Sequence, residues 1–135
     1  YKRLHATADL TEQFTSNADI VRLPSTIAKA SVFYGGKMFK GNLNLQVGLQ
    51  ATWYSSFTTY AYMPATNAFY LKSNLSAGNY PFVDFFLCAD IKPVRLFVKM
   101  EHINQGLTGS NYSFISKYPM PHRAFKFGFT WIFND

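Results

Sequence analysis

Apolar and polar residues alternate over several long stretches of this chain. The clearest is NLNLQVGLQATWYSSF, residues 42–57, where every second residue from position 43 to position 53 is apolar. A period of two sustained over this length predicts a β-strand with one apolar face and one polar face. KASVFYGGKMF, residues 29–39, precedes it, and Lys40-Gly41 predicts a tight turn because glycine tolerates a positive φ. Together the two stretches predict a β-hairpin.

One pairing register of the two predicted strands places apolar side chains on one face and polar side chains on the other. If Met38 faces Leu43, apolar residues meet apolar residues along one face. The same register places Lys37 across from Asn44 and gathers polar residues on the other face. A slip of one residue would move every side chain to the opposite face, so this agreement supports the hairpin.

A second hairpin is predicted in the C-terminal half. FVDFFLCADI, residues 82–91, and VRLFVKMEH, residues 94–102, also alternate, and Pro93 lies between them. Proline lacks the amide hydrogen that a strand ladder needs, so it belongs in the turn. In this register Asp90 lies across from Arg95, which makes an opposite-charge pair between the strands.

Two further strands are predicted near the ends of the sequence. Residues 1–10 alternate weakly, whereas residues 124–133 carry an aromatic ring at every second position. Aromatic rings settle at the depth of lipid headgroups, so this stripe is predicted to face lipid in a girdle. The predicted lipid-facing girdle consists of Trp53, Phe125, Phe127, Phe129, Trp131 and Phe133. The rings expected near the outer interface of the same barrel are Trp53, Tyr54, Phe57, Tyr60, Tyr62, Tyr80 and Phe82, and those near the opposite rim are Trp131 and Phe133.

The connections between the predicted strands alternate between short and long. Two are about two residues long, whereas residues 11–25, 58–79 and 103–123 form three long connections. Short periplasmic turns and long extracellular loops are typical of transmembrane β-barrels. With the short turns in the periplasm, six strands bring the C-terminus to the periplasm, where barrels of this kind normally end. The predicted fold is therefore all-β, an antiparallel up-and-down transmembrane β-barrel with six strands visible.

Composition agrees with strands in a membrane. Aromatic residues make up 19% of the 135 residues and charged residues 15%, against roughly 25% charged in ordinary soluble domains. No apolar run approaches the roughly 18 to 20 residues of a membrane helix. The net charge of +6 comes from scattered Lys and Arg, so nucleic acid is not an expected partner. Cys88 is the single cysteine, which excludes an internal disulfide and a cysteine-based zinc site.

Two long stretches resemble a known family. They are GNYPFVDFFLCADIKPVRLFVKMEHINQG, residues 78–106, and NYSFISKYPMPHRAFKFGFTWIFND, residues 111–135. Both are similar to the C-terminal end of the putative porin family of Bacteroidota outer membranes. An earlier stretch, YGGKMFKGNLNLQVGLQATWYSSF, resembles the preceding strands of that family. Its more distinctive motifs are GNYP, EHINQG and YPMP.

The resemblance implies a porin-like membrane protein of the bacterial cell outer membrane. Its implied function is the passive diffusion of small hydrophilic solutes. The implied partners are outer-membrane lipids, the barrel-assembly machinery and the solutes themselves. An oligomer or an envelope-complex partner is left open.

Six strands are fewer than the eight of the smallest single-chain outer-membrane barrels. Unpaired strand edges in hydrocarbon would leave backbone groups unsatisfied. Residues 67–76 would add a hairpin outside the membrane and not two more spans. We therefore expect residues 1–135 to form a single β-barrel domain that is the C-terminal portion of a larger barrel.

The polar faces of the predicted strands supply the candidate pore lining. Five of the charged candidates are Lys or Arg and three are acidic, so a mild preference for anions is a hypothesis. The candidates are Lys29, Lys37, Asn44, Gln46, Gln50, Asp84, Asp90, Arg95, Lys99, Glu101 and Lys126.

No pattern in the sequence predicts catalysis. His5, His102 and His122 lack the spacing of metal ligands, and Ser113 and Ser116 lack a nucleophile-elbow motif. We therefore expect neither an enzyme nor a metal or other cofactor.

Two alternatives remain open from the sequence alone. A soluble lipocalin-like, lipid-carrying β-barrel would turn the apolar face inward to a ligand, and periodicity cannot distinguish inside from outside. The polar faces carry few charges, whereas the exterior of a soluble protein is usually rich in charged residues. The second alternative is an outer-membrane barrel that acts as a scaffold or subunit of an envelope assembly.

Overall fold

The described part of the chain folds into eight β-strands. A computed structural model describes residues 3–107, 114–115 and 121–133, with backbone alone for residues 72–74. The strands are β1 (Leu4–Glu12), β2 (Thr26–Met38), β3 (Leu43–Tyr54), β4 (Phe57–Met63), β5 (Ala68–Ala77), β6 (Pro81–Ile91), β7 (Val94–Glu101) and β8 (Ala124–Trp131). The predicted all-β class is confirmed.

Six of the strands form one antiparallel sheet in the order β1-β2-β3-β6-β7-β8. Each strand pairs with the next strand of this sheet along the chain, so the predicted up-and-down topology is confirmed. Strands β4 and β5 pair with each other in a separate hairpin between β3 and β6. Residues 67–76 were expected to form a hairpin by themselves, but nearly all of them belong to one strand, β5, whose partner β4 lies earlier in the chain.

The predicted register of β2 against β3 is confirmed. Met38 pairs with Leu43 and Lys37 pairs with Asn44. The connection is wider than the predicted two-residue turn, because residues 39–41 form one turn of 3-10 helix. Phe39 and Lys40 both adopt positive φ, at 49° and 57°, in addition to Gly41 at 97°. Two non-glycine residues thus accept a conformation that favours glycine, which periodicity alone could not indicate.

The predicted register of β6 against β7 is also confirmed. Asp90 pairs with Arg95, and Pro93 lies in the turn that joins the strands. The C-terminal strand β8 completes this side of the sheet, with Phe127 opposite Val98. Each of the three strands therefore presents its alternating residues to the same two faces as its neighbours.

One face of the sheet is apolar and exposed. Rows of aliphatic and aromatic side chains cross all six strands, and in β8 the exposed fraction reaches 76% for Phe127 and 68% for Phe129. The buried apolar residues among the described part of the chain are Ala61, Ala77 and Tyr80, and none of them lies in the six-stranded sheet. Within the residues that the structure describes, no second layer covers the apolar face.

Strands β1 and β8 form the two edges of the sheet. Over the described residues each of them pairs with a single neighbour, β2 and β7 respectively. The sheet is therefore open in this part of the chain, and a closed barrel is not formed there. Across residues 3–107, 114–115 and 121–133, no helix is long and apolar enough to cross a membrane.

Gly48 allows β2 and β3 to approach each other closely. A Cβ atom at this position would lie 2.4 Å from Phe33 Cβ and 2.5 Å from the Val32 carbonyl oxygen. We expect Gly48→Ala to lower the free energy of unfolding by about 1–3 kcal/mol, the usual cost of overpacking. The measurement is the temperature at which the folded, fast-migrating form is lost on detergent gels.

Gly36→Ala is the matched control on the neighbouring strand. Its added Cβ would lie 3.4 Å from the nearest atom, in the Tyr34 ring, so this variant should melt close to the wild type. Equal melting temperatures for the two variants would contradict the close approach at Gly48.

Candidate functional site

The candidate site is the polar face of the six-stranded sheet. The register places all of the predicted pore-lining residues on this one face, because they share the same alternation in every strand. One complete row consists of Lys37, Asn44, Asp90, Arg95 and Thr130, each opposite the next. The sequence therefore grouped these residues correctly on one face, whereas the role of that face in lining a pore stays a prediction.

Ion pairs connect the last three strands of the sheet across this face. Lys99 Nζ lies 2.9 Å from Asp84 Oδ2 and 3.3 Å from Glu101 Oε1. Glu101 Oε2 lies 2.7 Å from Lys126 Nζ. One lysine thus bridges two carboxylates, and the resulting chain of four charged groups joins β6, β7 and β8.

A separate ion pair lies near the short turn between β6 and β7. Arg95 Nη2 donates to Asp90 Oδ2 at 3.1 Å. The pair is exposed and screened by solvent, so it contributes little to stability. Its main consequence is that two charges predicted to line a pore neutralise each other locally.

Sequence reasoning missed one charged residue of the polar face. Asp9 in β1 lies directly opposite Lys29 in β2. The weak alternation of the first strand already put Asp9 opposite its apolar positions, and the opposite charge of Lys29 was a further signal. With Asp9 included, the described strands of this face carry five cationic and four acidic residues. The excess of positive charge that would favour anions therefore falls from two to one. Lys37 faces Asn44, not an acid.

Aromatic rings interrupt the polar face at mid-height. His5 stacks on Phe33 with ring centroids 5.0 Å apart, and Phe33 lies 6.2 Å from Phe86. Gly48 lies between these two phenylalanines in the row, with no side chain of its own. The face is therefore a polar surface crossed by a narrow apolar band.

Four of the rings expected near the outer interface, Tyr54, Phe57, Tyr80 and Phe82, cluster near Phe114. Tyr54 and Phe82 lie on the polar face of the sheet, and each contacts Phe114 from the last long connection, at 5.0 Å and 5.4 Å between centroids. Phe57 also approaches Phe114, at 6.2 Å, and Tyr80 packs on Phe82 at 5.1 Å. The alternation turns positions 54 and 82 toward the polar side, and the place of these rings near an outer interface stays a prediction.

Hydrogen bonds attach the turn that follows β7 to the beginning of β6. His102 is buried, with a positive φ of 55°, and shares a hydrogen bond of 2.8 Å with the Tyr80 hydroxyl. Its backbone N–H donates to Asp84 Oδ1 at 3.0 Å. The Asn104 side chain donates to the Pro81 carbonyl at 2.7 Å and accepts from the Val83 amide at 3.1 Å. His102 thereby connects the aromatic cluster, through Tyr80, to the ion-pair chain, through Asp84.

Arg123 closes the same turn from the other side. Its guanidinium donates to the backbone carbonyls of Ile103 and Gln105, at 2.9 Å and 2.8 Å. Three backbone groups of the turn are thus hydrogen-bonded outside the strand ladders: the His102 N–H by Asp84 of β6, and the Ile103 and Gln105 carbonyls by Arg123.

A comparison with protein families assigns the chain to a family. The family model described as "Putative porin" matches residues 1–135, the whole sequence. The chain belongs to this porin family. Searches of curated proteins and of solved structures gave no match. Membership supports a porin-like function and agrees with the amphipathic antiparallel sheet.

In this porin-family chain the predicted girdle lies on the face opposite the ion pairs. Trp53 and the aromatic residues of β8 alternate with the polar-face residues and point to the apolar side. Phe133 lies beyond the end of β8 and stacks on Trp131, with centroids 5.4 Å apart and planes at 2°. The grouping of these residues on one face matches the sequence prediction, and their contact with lipid stays a prediction.

The buried His102 should make the turn after β7 sensitive to pH. Burial lowers the pKa of His102, and the charge of Arg123 lowers it further, while Asp84 acts in the opposite direction. The unfolded turn binds a proton near pH 6.5, so stability is complete above about pH 6.5 and falls as the pH decreases toward the folded pKa. We expect proteolysis within residues 102–107 to become faster from neutral pH to about pH 5.

His102→Asn tests the origin of this effect. Asparagine tolerates a positive φ and does not titrate, so cleavage of this variant should depend little on pH. His122→Gln removes the exposed neighbouring histidine and should keep the wild-type pH dependence. If His122→Gln abolished the dependence and His102→Asn retained it, His102 would not be the titrating group.

Proposed function

We propose that the six-stranded sheet is part of the wall of an outer-membrane channel through which small hydrophilic solutes diffuse passively. One observation carries this proposal, namely that the charged and amide side chains of β2, β3, β6, β7 and β8 lie on one face of the sheet, whereas the opposite face is apolar and exposed. Ion pairs and amides occupy one face of the sheet, and exposed apolar rings occupy the other. A wall between water and lipid requires this separation at every strand.

The apolar face supports lipid as its neighbour. Phe125 is 65% exposed and Phe127 76% exposed, and their rings lie side by side at 6.2 Å. Contiguous exposed patches of this kind are rare on soluble monomers and mark surfaces that meet membranes or partners. A soluble lipid carrier would place the same rings around a ligand, and the porin-family match favours the membrane.

The two open edges support completion of the wall by further strands. In hydrocarbon an unpaired strand edge costs several kcal/mol for each unsatisfied group, so a membrane sheet has to close. Strands that pair with β1 and β8 would supply this closure. We propose that the barrel-assembly machinery directs the closure.

The chemistry of the polar face supports passage without a reaction. The carboxylates of Asp84, Asp90 and Glu101 each lie within an ion pair with Lys or Arg. Groups held in this way set a local field along a channel. We therefore propose a non-enzymatic protein that needs no cofactor, with solutes, lipids and the assembly machinery as its partners.

Conductance of the full-length protein tests the function. We expect stepwise conductance after the purified protein is added to a planar bilayer, because the polar face would line a water-filled path. The same preparation must show heat-modifiable migration, which establishes that the barrel is folded. A folded barrel with no conductance would contradict the channel and favour a scaffold in an envelope assembly.

Lys37 should contribute to the ion selectivity of such a channel. It lies on the polar face opposite Asn44, so its charge is not cancelled by an acid across the pair. We expect Lys37→Glu to shift the reversal potential in a salt gradient toward cations, relative to the wild type. Lys40→Glu is the control, because it makes the same change of charge in the turn outside the strands.

The shift for Lys37→Glu should exceed the shift for Lys40→Glu. An equal or larger effect at Lys40 would contradict the assignment of Lys37 to the channel wall.

A further inference from the structure

A pocket lies where the polar face meets the turn after β7. It has a volume of about 260 Å³. Tyr54, Phe82 and Phe114 form its aromatic side, whereas Asp84 and Glu101 form its charged side. Drug-sized ligands occupy pockets of roughly 300–1,000 Å³, so this pocket suits a single ring and not a larger molecule.

The aromatic side of the pocket is formed before any ligand arrives. Tyr54 meets Phe114 edge to face at 5.0 Å, and Phe82 meets Phe114 at 5.4 Å. Behind them Phe82 packs on buried His102 at 5.0 Å and on buried Tyr80 at 5.1 Å. Rings that are already fixed lose little freedom on binding, which lowers the cost of complex formation.

The charged side of the pocket is neutral overall. Asp84 is paired with Lys99, and Glu101 is paired with both Lys99 and Lys126. Two carboxylates are therefore balanced by two ammonium groups, and neither a cation nor an anion is favoured by net charge. Of these four groups the two carboxylates line the pocket and offer strong acceptors, because hydrogen bonds to a charged group exceed neutral ones in strength.

The acidic and aromatic groups remain within reach of a solute. The side chain of Asp84 is 21% exposed and that of Glu101 is 30% exposed. Tyr54, Phe82 and Phe114 are half-buried, so part of each ring remains on the surface. The ligand should therefore have one apolar surface that packs on rings and one edge of hydroxyl groups that donate to the carboxylates.

We propose that this pocket binds one neutral sugar ring, with the C–H face of the ring on the aromatic side and its hydroxyl edge on the ion-pair chain. The role of the pocket as a solute subsite rests on the proposed channel, because it places the sugar at the loop end of the channel wall. A purely passive path for ions would require no preformed aromatic pocket at this point.

Binding can be measured without reference to conductance. The probe is methyl β-D-glucopyranoside, added to the full-length protein in detergent and followed by saturation-transfer NMR. We expect saturation of the ring C–H protons, with much weaker transfer to sorbitol, which carries similar hydroxyl groups on an open chain. Equal transfer to the two compounds would overturn the proposal, as would displacement of the glucoside by tetramethylammonium, which would indicate a cation site.

Phe114→Ala tests the aromatic side. Loss of one ring contact should weaken glucoside binding roughly three- to tenfold. Phe14→Ala is the control, since Phe14 is an exposed phenylalanine in the connection between β1 and β2 and should leave binding unchanged. If Phe114→Ala lacks heat-modifiable migration, Phe114→Leu retains apolar packing without a ring and should show the same weakening. Wild-type affinity in a folded Phe114 variant would overturn the proposal.

The two assays separate the pocket from the channel. Conductance without glucoside binding would overturn the sugar subsite and leave the proposed channel in place. Glucoside binding without conductance would retain the pocket and overturn the channel.

Discussion

The antiparallel pairing of β2 with β3 is the interaction on which the other parts of the sheet depend. It joins the two longest strands, of 13 and 12 residues, and the neighbouring strands β1 and β6 attach to its two sides. A slip of one residue would exchange the two faces of the sheet. The exposed apolar face, the ion-pair chain and the aromatic pocket would then all be lost together, because each requires the same alternation in consecutive strands.

Short connections made part of this fold predictable from sequence. The turns after β2 and β6 hold their strands in one register, so pairs such as Met38 with Leu43 and Asp90 with Arg95 could be assigned. Strand β6 follows β3 only after the β4–β5 hairpin. Periodicity there indicates the face of each residue but not its partner, so the pairing of Gln50 with Asp84 could not be assigned.

The sequence predicted which residues of the candidate site share a face of the sheet, but not which of them contact each other. Alternation grouped Lys99 with Glu101, but their bridge to Lys126 depends on the stagger of β7 and β8. The cluster around Phe114 depends on a long connection that returns to the strand ends, and no local pattern encodes that path. Several of the residues that would meet a solute also hold the strands together, so changes at these positions should affect stability and passage at once.

The central claim is that one face of the sheet meets water and the other meets lipid. The most direct test is cysteine labelling in intact outer membranes, with Cys88→Ala as the background and single cysteines at the adjacent positions Lys126 and Phe127. A charged, water-soluble maleimide should label Lys126→Cys readily and Phe127→Cys hardly at all, because the two side chains point to opposite faces of β8. Equal labelling of the two, or faster labelling of Phe127→Cys, would contradict the assignment of the faces.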